Sequence, residues 1–259
     1  MSNEKKSKIN LLISQWPRGT VGAASYLNAV GFSYDLLTRY RKSGWIQSFG
    51  RGAYTLFGDE VEWPGALYTL QTHLGLNIHA GGKTALELKG YAHYLPSQQD
   101  RIFLYGCQGQ TLPAWFKGER LGVHIVMTRT NLFSQKTREG FSEFRREGFS
   151  IRISAPERAA MEMLHLVPGK LTFDESLLIV ENLVSLRPEV LQRLLEMCRS
   201  IKVKRLFMYL AEKAEHPWLA QLDLSRLDFG KGKRLIIRNG RYDTKYRITV
   251  PRDHEEASE

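Results

Sequence analysis

The first 58 residues carry three short helical patterns, each closed by a breaker, followed by two strand-like runs around a glycine turn. Few folds accept that order. Between Lys5 and Gln15 the apolar residues Ile9, Leu12 and Ile13 fall at helical spacing, and Pro17-Arg18-Gly19 stops the pattern. Thr20 is placed to cap a second short helix over residues 21–29, broken by Gly31. Ser33 caps a third, over residues 34–43, closed by Gly44. The β-prone runs 45–49 and 53–57 then flank Gly50-Arg51-Gly52, which predicts a hairpin. Three helices and a hairpin in this order predict a winged helix-turn-helix.

A chain of 259 residues is long for one small domain, so a second unit is expected. The acidic residues Asp59, Glu60 and Glu62 ahead of Trp63-Pro64 mark the boundary. The expected division is 1–60 for the winged helix, 61–252 for a larger unit and 253–259 for a frayed acidic tail. With 42% hydrophobic residues the larger unit has enough apolar material for its own core. Residues 65–74 and 83–89 read as helices around a short strand at 77–79. Strands follow at 101–105, 123–127, 141–146 and 149–153, with Glu147-Gly148 turning between the last two. In the helical block after them, Pro156 opens a helix to 166, Thr172 caps one to about 186, Pro188 opens a third and 201–214 is a fourth. Leu177, Leu178, Val180, Leu183, Leu191, Leu194, Leu195, Leu206, Tyr209 and Leu210 recur at helical spacing and read as the core of that block. Finally, 233–238 and 241–250 flank Asn239-Gly240, a strong short-hairpin signal. The fold class is therefore α+β: an N-terminal winged helix-turn-helix, then a larger mixed domain with a helical block and a terminal β-hairpin.

Lys and Arg total 37 against 27 Asp and Glu, leaving a formal net charge of +10, which suits a polyanionic partner. Up to Gly58 eight basic residues (Lys5, Lys6, Lys8, Arg18, Arg39, Arg41, Lys42, Arg51) oppose Glu4 and Asp35, a net +6. A helix presented to the major groove needs one apolar face to hold it and one polar face to read. On the third helix Leu36, Leu37 and Tyr40 make the anchoring stripe, with Trp45 expected to seal its end. Ser33, Tyr34, Thr38, Arg41 and Lys42 are left as candidate contacts to double-stranded DNA. Arg41 and Lys42 suit guanine edges or phosphates, Ser33 a phosphate at the helix N-terminus, and Thr38 a lesser base contact. Arg51, at the wing tip, suits a minor groove or the backbone. The competing reading is a winged helix that touches only protein. A second basic stretch, 223–252, sets nine Lys and Arg against three Asp; a solvated hairpin face is the preferred reading, ahead of a second nucleic-acid surface.

Other chemistries are poorly provided for. Cys107 and Cys198 lie far apart without metal-ligand spacing, so neither a disulfide nor a zinc site is expected. No run approaches the roughly 20 apolar residues of a membrane span, and MSNEKKSKIN leads into no apolar run of signal-peptide length; a reducing cytoplasm is the expected home. None of the seven histidines forms a paired motif, and His79 and His165 are expected to be core or half-buried residues. Gly81-Gly82-Lys83-Thr84 ends like a phosphate loop, but the first glycine of that motif falls at Asn77; a glycine turn with Thr84 as helix cap is expected instead. Asp243-Thr244-Lys245, with Asp228, is half of a nuclease signature, making a metal-dependent nuclease targeted by a winged helix the enzyme-class alternative. The expectation is no catalytic residue, no metal and no cofactor.

Gly31-Phe32-Ser33, Leu37-x-x-Tyr40, Gly44-Trp45-Ile46 and Gly50-Arg51-Gly52-Ala53-Tyr54 together resemble the N-terminal domain of AbiEi-type antitoxins. His79-Ala80-Gly81-Gly82-Lys83-Thr84-Ala85-Leu86-Glu87-Leu88-Lys89-Gly90 is similar to that family's G-G-x-T-A-L-x-L-x-G segment, and Ser154-Ala155-Pro156-Glu157-Arg158-Ala159 to its S-x-x-E-R-A element. The resemblance implies a transcriptional repressor that binds inverted repeats in its own promoter. It further implies a neighbouring nucleotidyltransferase-like toxin, in a type IV toxin–antitoxin system associated with abortive phage infection. The C-terminal domain would counter the toxin, without a stable complex. On that reading Lys202, Lys204, Arg205, Arg234 and Arg241 are candidates for the antitoxin surface.

Overall fold

The structure, a computed structural model, describes residues 8–92 and 101–252. Lys5, Lys6, His93 and the acidic tail lie outside the described residues. The N-terminal unit runs α1 (Lys8–Gln15), β1 (Gly22–Ala23), α2 (Ala24–Ala29), α3 (Tyr34–Lys42), β2 (Ile46–Gly50) and β3 (Ala53–Leu56). Its core is Leu12, Trp16, Leu27, Phe32, Leu37, Ile46 and Leu56. Burying side chains of this size stabilises by about 1.5–3 kcal/mol each, before entropy is counted. The three strands form an antiparallel sheet in the order β1-β3-β2. The second helix was expected from Val21 but starts at Ala24. Gly22 and Ala23 are drawn into the sheet opposite Tyr54 and Ala53, and the Ala24 amide bonds the Gly52 carbonyl at 2.9 Å. Thr20 does not cap; its hydroxyl donates back to the Pro17 carbonyl. Gly22 lies under the Trp16 ring, where a Cβ would come within 2.3 Å of ring carbon.

The larger unit begins with α4 (Trp63–Thr72), β4 (Ile78–Ala80), α5 (Gly82–Leu88), β5 (Arg101–Gly106), the single turn α6 (Gly118–Leu121), β6 (His124–Arg129), β7 (Phe141–Arg146) and β8 (Phe149–Ser154). Its five-stranded mixed sheet has the order β6-β5-β4-β8-β7, with β4/β8 and β5/β6 parallel. The helical block follows as α7 (Pro156–His165), α8 (Phe173–Glu181), α9 (Pro188–Met197) and α10 (Ile201–Lys213). Thr172 and Ser200 cap α8 and α10, accepting the amides of Glu175 and Val203. Every residue from Glu157 to Leu164 in α7 is buried, so this helix is the axis of the domain and must satisfy its own polar side chains internally. The expected apolar stripe is buried apart from Leu177, half-buried, and Leu178, exposed.

The end of the chain departs from expectation. Two 3-10 turns (Pro217–Gln221 and Leu224–Arg226) lead to β9 (Arg234–Leu235), β10 (Arg241–Asp243) and β11 (Ile248–Val250). The antiparallel hairpin joins β10 to β11, while β9 pairs with β11 in parallel on its other side. Asn239-Gly240 is therefore a crossover bend. A type I′ hairpin turn needs positive φ at both residues; Asn239 has φ +58° but Gly240 does not. Gly240 is instead placed by close approach, since a Cβ would fall 2.0 Å from the Val250 carbonyl oxygen.

The two units are seated on each other. Val21 and Ala53 of the small sheet pack into the larger core. Thr69 donates to the Val21 carbonyl, and a Cβ on Gly65 would lie 1.8 Å from the Gly19 carbonyl oxygen. Tyr26 stacks on His73 with centroids 4.0 Å apart, and Arg18 pairs with Asp59 at 2.7 Å.

Candidate nucleic-acid interface and a buried polar centre

Helix α3 is aimed by its two ends. Ser33 Oγ accepts the Leu36 amide at 3.3 Å, satisfying a free donor of the first turn. Gly44, at φ +72°, ends the helix in the left-handed conformation that glycine adopts without strain. Leu37 is fully buried, and Leu36 and Tyr40 are half-buried against the same core. Tyr34, Thr38 and Arg41 follow one another at i, i+4 and i+7, so with Lys42 they share the opposite stripe. Tyr34 is 55% exposed; Arg41 and Lys42 are exposed, and Thr38, between them on the stripe, is half-buried. Arg39, not singled out from the sequence, is exposed on the flank. Three cations in the last turn also meet the negative end of the helix dipole. Trp45 does not seal the helix. It is 48% exposed, because strand alternation sends the next residue, Ile46, inward.

The wing projects Arg51 into solvent between Gly50 and Gly52. Gly52 has φ +75°, as the tip requires, and the register shifts between Ser48 and Gly50. The base of the wing is held by the larger domain: Phe49 meets Trp115 edge-on at 6.2 Å, and the Arg120 guanidinium donates to the Phe49 carbonyl. A Cβ on Gly50 would come within 2.8 Å of Trp115, so glycine permits this seat. Arg18 is committed to Asp59 and is not part of the free basic surface.

Two family models divide the chain between them. Residues 5–97 match the transcriptional regulator, AbiEi antitoxin N-terminal domain, and residues 99–251 match the transcriptional regulator, AbiEi antitoxin, of type IV toxin–antitoxin systems. The chain belongs to the AbiEi antitoxin family. Among solved structures, the RV2827C protein from Mycobacterium tuberculosis is similar in fold: TM-score 0.57 at 17% identity, over 93% of this chain and 89% of that one. No curated protein matches the sequence significantly. No helix among the described residues is long and apolar enough to cross a membrane.

The basic residues expected on the antitoxin surface separate into two groups. Arg234 and Arg241 are exposed on the C-terminal strands. Lys204 and Arg205 are buried, which corrects their expected place on a surface. Arg205 is 1% exposed, and its guanidinium fans onto the carbonyls of Phe229, Gly230, Gly232 and Arg247 at 2.7–3.3 Å. Lys202 is half-buried and donates to the carbonyls of His165 and Val167. Lys202 and Arg205 thus tie loop carbonyls to α10. The D-x-K residues have local tasks as well: Asp243 accepts the Tyr246 amide in the hairpin turn, Lys245 pairs with Glu212, and Asp228 accepts the Gly230 amide.

The glycine pair of the second family motif serves a polar centre under the sheet. Glu162 of α7 accepts from His79 Nε2 at 2.9 Å, Arg158 Nε at 2.8 Å, Ser154 Oγ at 2.7 Å and the Gly82 amide at 3.3 Å. The Tyr105 hydroxyl donates to the Glu162 carbonyl. A Cβ on Gly81 would fall 2.1 Å from Glu162 Oε2, and one on Gly82 2.6 Å from the Tyr105 oxygen. Burial pushes the Glu162 carboxyl up, but the His79 N–H, the Arg158 guanidinium and the Ser154 hydroxyl outweigh it and hold it well below the usual carboxylate range. Burial lowers His79, so the ring is neutral, donates Nε2–H to Glu162 and keeps Nδ1 as an acceptor. Lys83 pairs with Glu175 at 2.7 Å. Thr84 does not cap α5; its oxygen accepts the Phe103 amide, tying the helix to β5. Sequence reasoning saw these motifs but not Glu162, whose i, i+4 spacing from Arg158 on a fully buried helix was the available signal.

Proposed function

We propose that this AbiEi-family regulator is a DNA-binding autorepressor and antitoxin, reading promoter inverted repeats with its winged helix and opposing a nucleotidyltransferase-like toxin with its larger domain. The observation that carries the DNA reading is the division of α3. One stripe is locked into a core by Leu37, and the opposite stripe presents Tyr34, Thr38, Arg41 and Lys42 to solvent beside a wing tipped by Arg51. Arg41 and Lys42 supply base-edge or phosphate contacts, Ser33 supplies a phosphate contact, and Arg51 supplies a minor-groove or backbone contact. Residues 1–60 act as the reader and 61–252 as the antitoxin unit, with exposed Arg234 and Arg241 as its remaining basic candidates.

The test is a binding titration on DNA from immediately upstream of the gene, with wild type, Arg41→Ala and Arg51→Ala at two salt concentrations. A base-reading Arg41 loses about 1–3 kcal/mol of affinity on truncation and relaxes specificity at one position. A phosphate-bound Arg51 lowers the log–log salt slope by about 1. Equal weak binding to all DNA, indifferent to both substitutions, would sink the operator model.

A further inference from the structure

A cavity of about 350 Å³ lies beside the His79–Glu162 pair, between β4, β8, the start of α7 and the 130–138 loop. Its charged lining is unbalanced. Arg138, Arg152 and Arg158 face it, and Glu162 is the only carboxylate among the lining residues. Arg158 already satisfies Glu162, and Arg138 and Arg152 have no carboxylate partner among the described residues. With His79 neutral, the lining carries a net +2. Arg152 is spent only in part: Nη2 donates to Asn77 Oδ1 at 2.6 Å, while Nε is shielded from solvent without a partner. Its guanidinium is depressed by burial and then by the neighbouring Arg158 and Arg138.

A second, independent observation lies on the opposite side of the charge. His79 is 5% exposed, lines the cavity, and its Nδ1 has no hydrogen-bond partner. Because Nε2 carries the proton to Glu162, Nδ1 needs a donor. A buried polar atom left without a partner costs about 1–3 kcal/mol, so one that persists beside a cavity calls for a group to fill it. The aromatic walls are already engaged: Phe141 has the Arg158 and Arg152 guanidiniums at 4.2 and 4.9 Å from its centroid, and Phe133 has Arg158 at 4.5 Å. Those contacts hold the cations in place and leave the anion and its hydroxyl as the groups to be recognised.

We propose that this cavity is a binding site for a small phosphomonoester bearing a free hydroxyl, the chemistry shared by nucleoside monophosphates and sugar phosphates. A phosphomonoester carries about −1.5 to −2 charges at neutral pH, which matches the +2 of the lining. Arg138 and Arg152 take the phosphate oxygens, Arg152 through its free Nε, and a ligand hydroxyl donates to His79 Nδ1. Ser134, Gln135 and Thr137 in the loop complete the polar rim.

The experiment is isothermal titration of the full-length protein with 5′-AMP, ribose 5-phosphate, inorganic phosphate and adenosine. One or both esters bind with Kd at or below about 1 mM, and adenosine does not bind. Arg138→Gln and Arg152→Gln each weaken the ester by about tenfold or more, the worth of a charge-assisted hydrogen bond. Arg138 is exposed, so its variant keeps the wild-type unfolding temperature and separates lost binding from lost folding. The relative affinity of the two esters decides between a nucleotide and a sugar phosphate. Absence of heat with both esters up to about 10 mM overturns the proposal. So does binding that neither substitution changes, and so does inorganic phosphate binding as tightly as both esters. DNA binding at α3 is read in a separate titration, so failure here leaves that reading standing.

Discussion

Replacing Arg205 by Met tests whether the basic face of α10 is a functional surface or a structural tie. Met keeps much of the side chain's volume and removes every donor. The guanidinium makes bonds of 2.8 Å to Phe229 O, 3.0 Å to Gly230 O, 2.7 Å to Gly232 O and 3.3 Å to Arg247 O. These hold the 229–232 segment and the β10–β11 turn onto α10. Hydrogen bonds to a charged group are worth about 1.5–3 kcal/mol each, but Gly230 and Gly232 are exposed and regain water, so the net loss is about 3–5 kcal/mol. At about 2–4 °C per kcal/mol for a chain of this size, the midpoint of thermal unfolding falls by roughly 6–20 °C. Circular dichroism melts measure it, run beside toxin neutralisation. Arg205→Lys, which keeps the charge but not the fork, is expected to lose most of the same stability. A Met variant that melts within about 2 °C of wild type yet no longer counters the toxin would refute the reasoning, because such a shift leaves at most about 1 kcal/mol for the four bonds.

Three other perturbations address the joint and the reader. His73, stacked on Tyr26, is lowered by burial from 6.5 to about 4. Its folded value lies below its unfolded one, so the stability it contributes is complete above pH 6.5 and is lost as pH falls toward 4, by up to about 2 kcal/mol after allowing for partial exposure; urea midpoints at pH 7 and 5 that shift equally in wild type and His73→Phe would contradict this. Gly65→Ala drives a Cβ onto the Gly19 carbonyl and should cost about 2–3 kcal/mol in urea unfolding; an unchanged midpoint would show that the joint is looser than described. Ser33→Ala should lose about 1 kcal/mol of stability with the cap, whereas Ser33→Asp restores the cap but places a negative charge where a phosphate is proposed. Stability recovered without operator affinity is the expected result for the Asp variant, and recovery of both would remove Ser33 from the interface.

Much of the architecture was legible because local chemistry announces it. Caps at Ser33 and Thr172, prolines at 156 and 188, and glycines at 44, 50 and 52 act within a turn of where they stand, so their roles can be read without knowing the fold. The polar stripe of α3 follows from helical periodicity alone. The misread positions share a different cause. Residues 21–23 were given to a helix because their partners, Ala53 and Tyr54, lie some thirty residues away in sequence. Asn239-Gly240 looked like a hairpin, yet its glycine was needed for the approach of Val250.

Charge showed the same divide. Lys204 and Arg205 sit in a basic run that reads as surface, and only the folding of 229–247 over α10 supplies the carbonyls that make burial of Arg205 tolerable. The polar centre is the fullest case: helical spacing joins Arg158 to Glu162, but His79 comes from a strand some eighty residues away, and no spacing rule brings it to them. By itself the sequence determined the order of elements, the winged helix and the polar face of α3 turned to solvent, because these rest on near-neighbour periodicity and capping. Only the tertiary structure decided which charges are spent inside and which are left at the surface, because pairing and burial depend on groups that the chain brings together last.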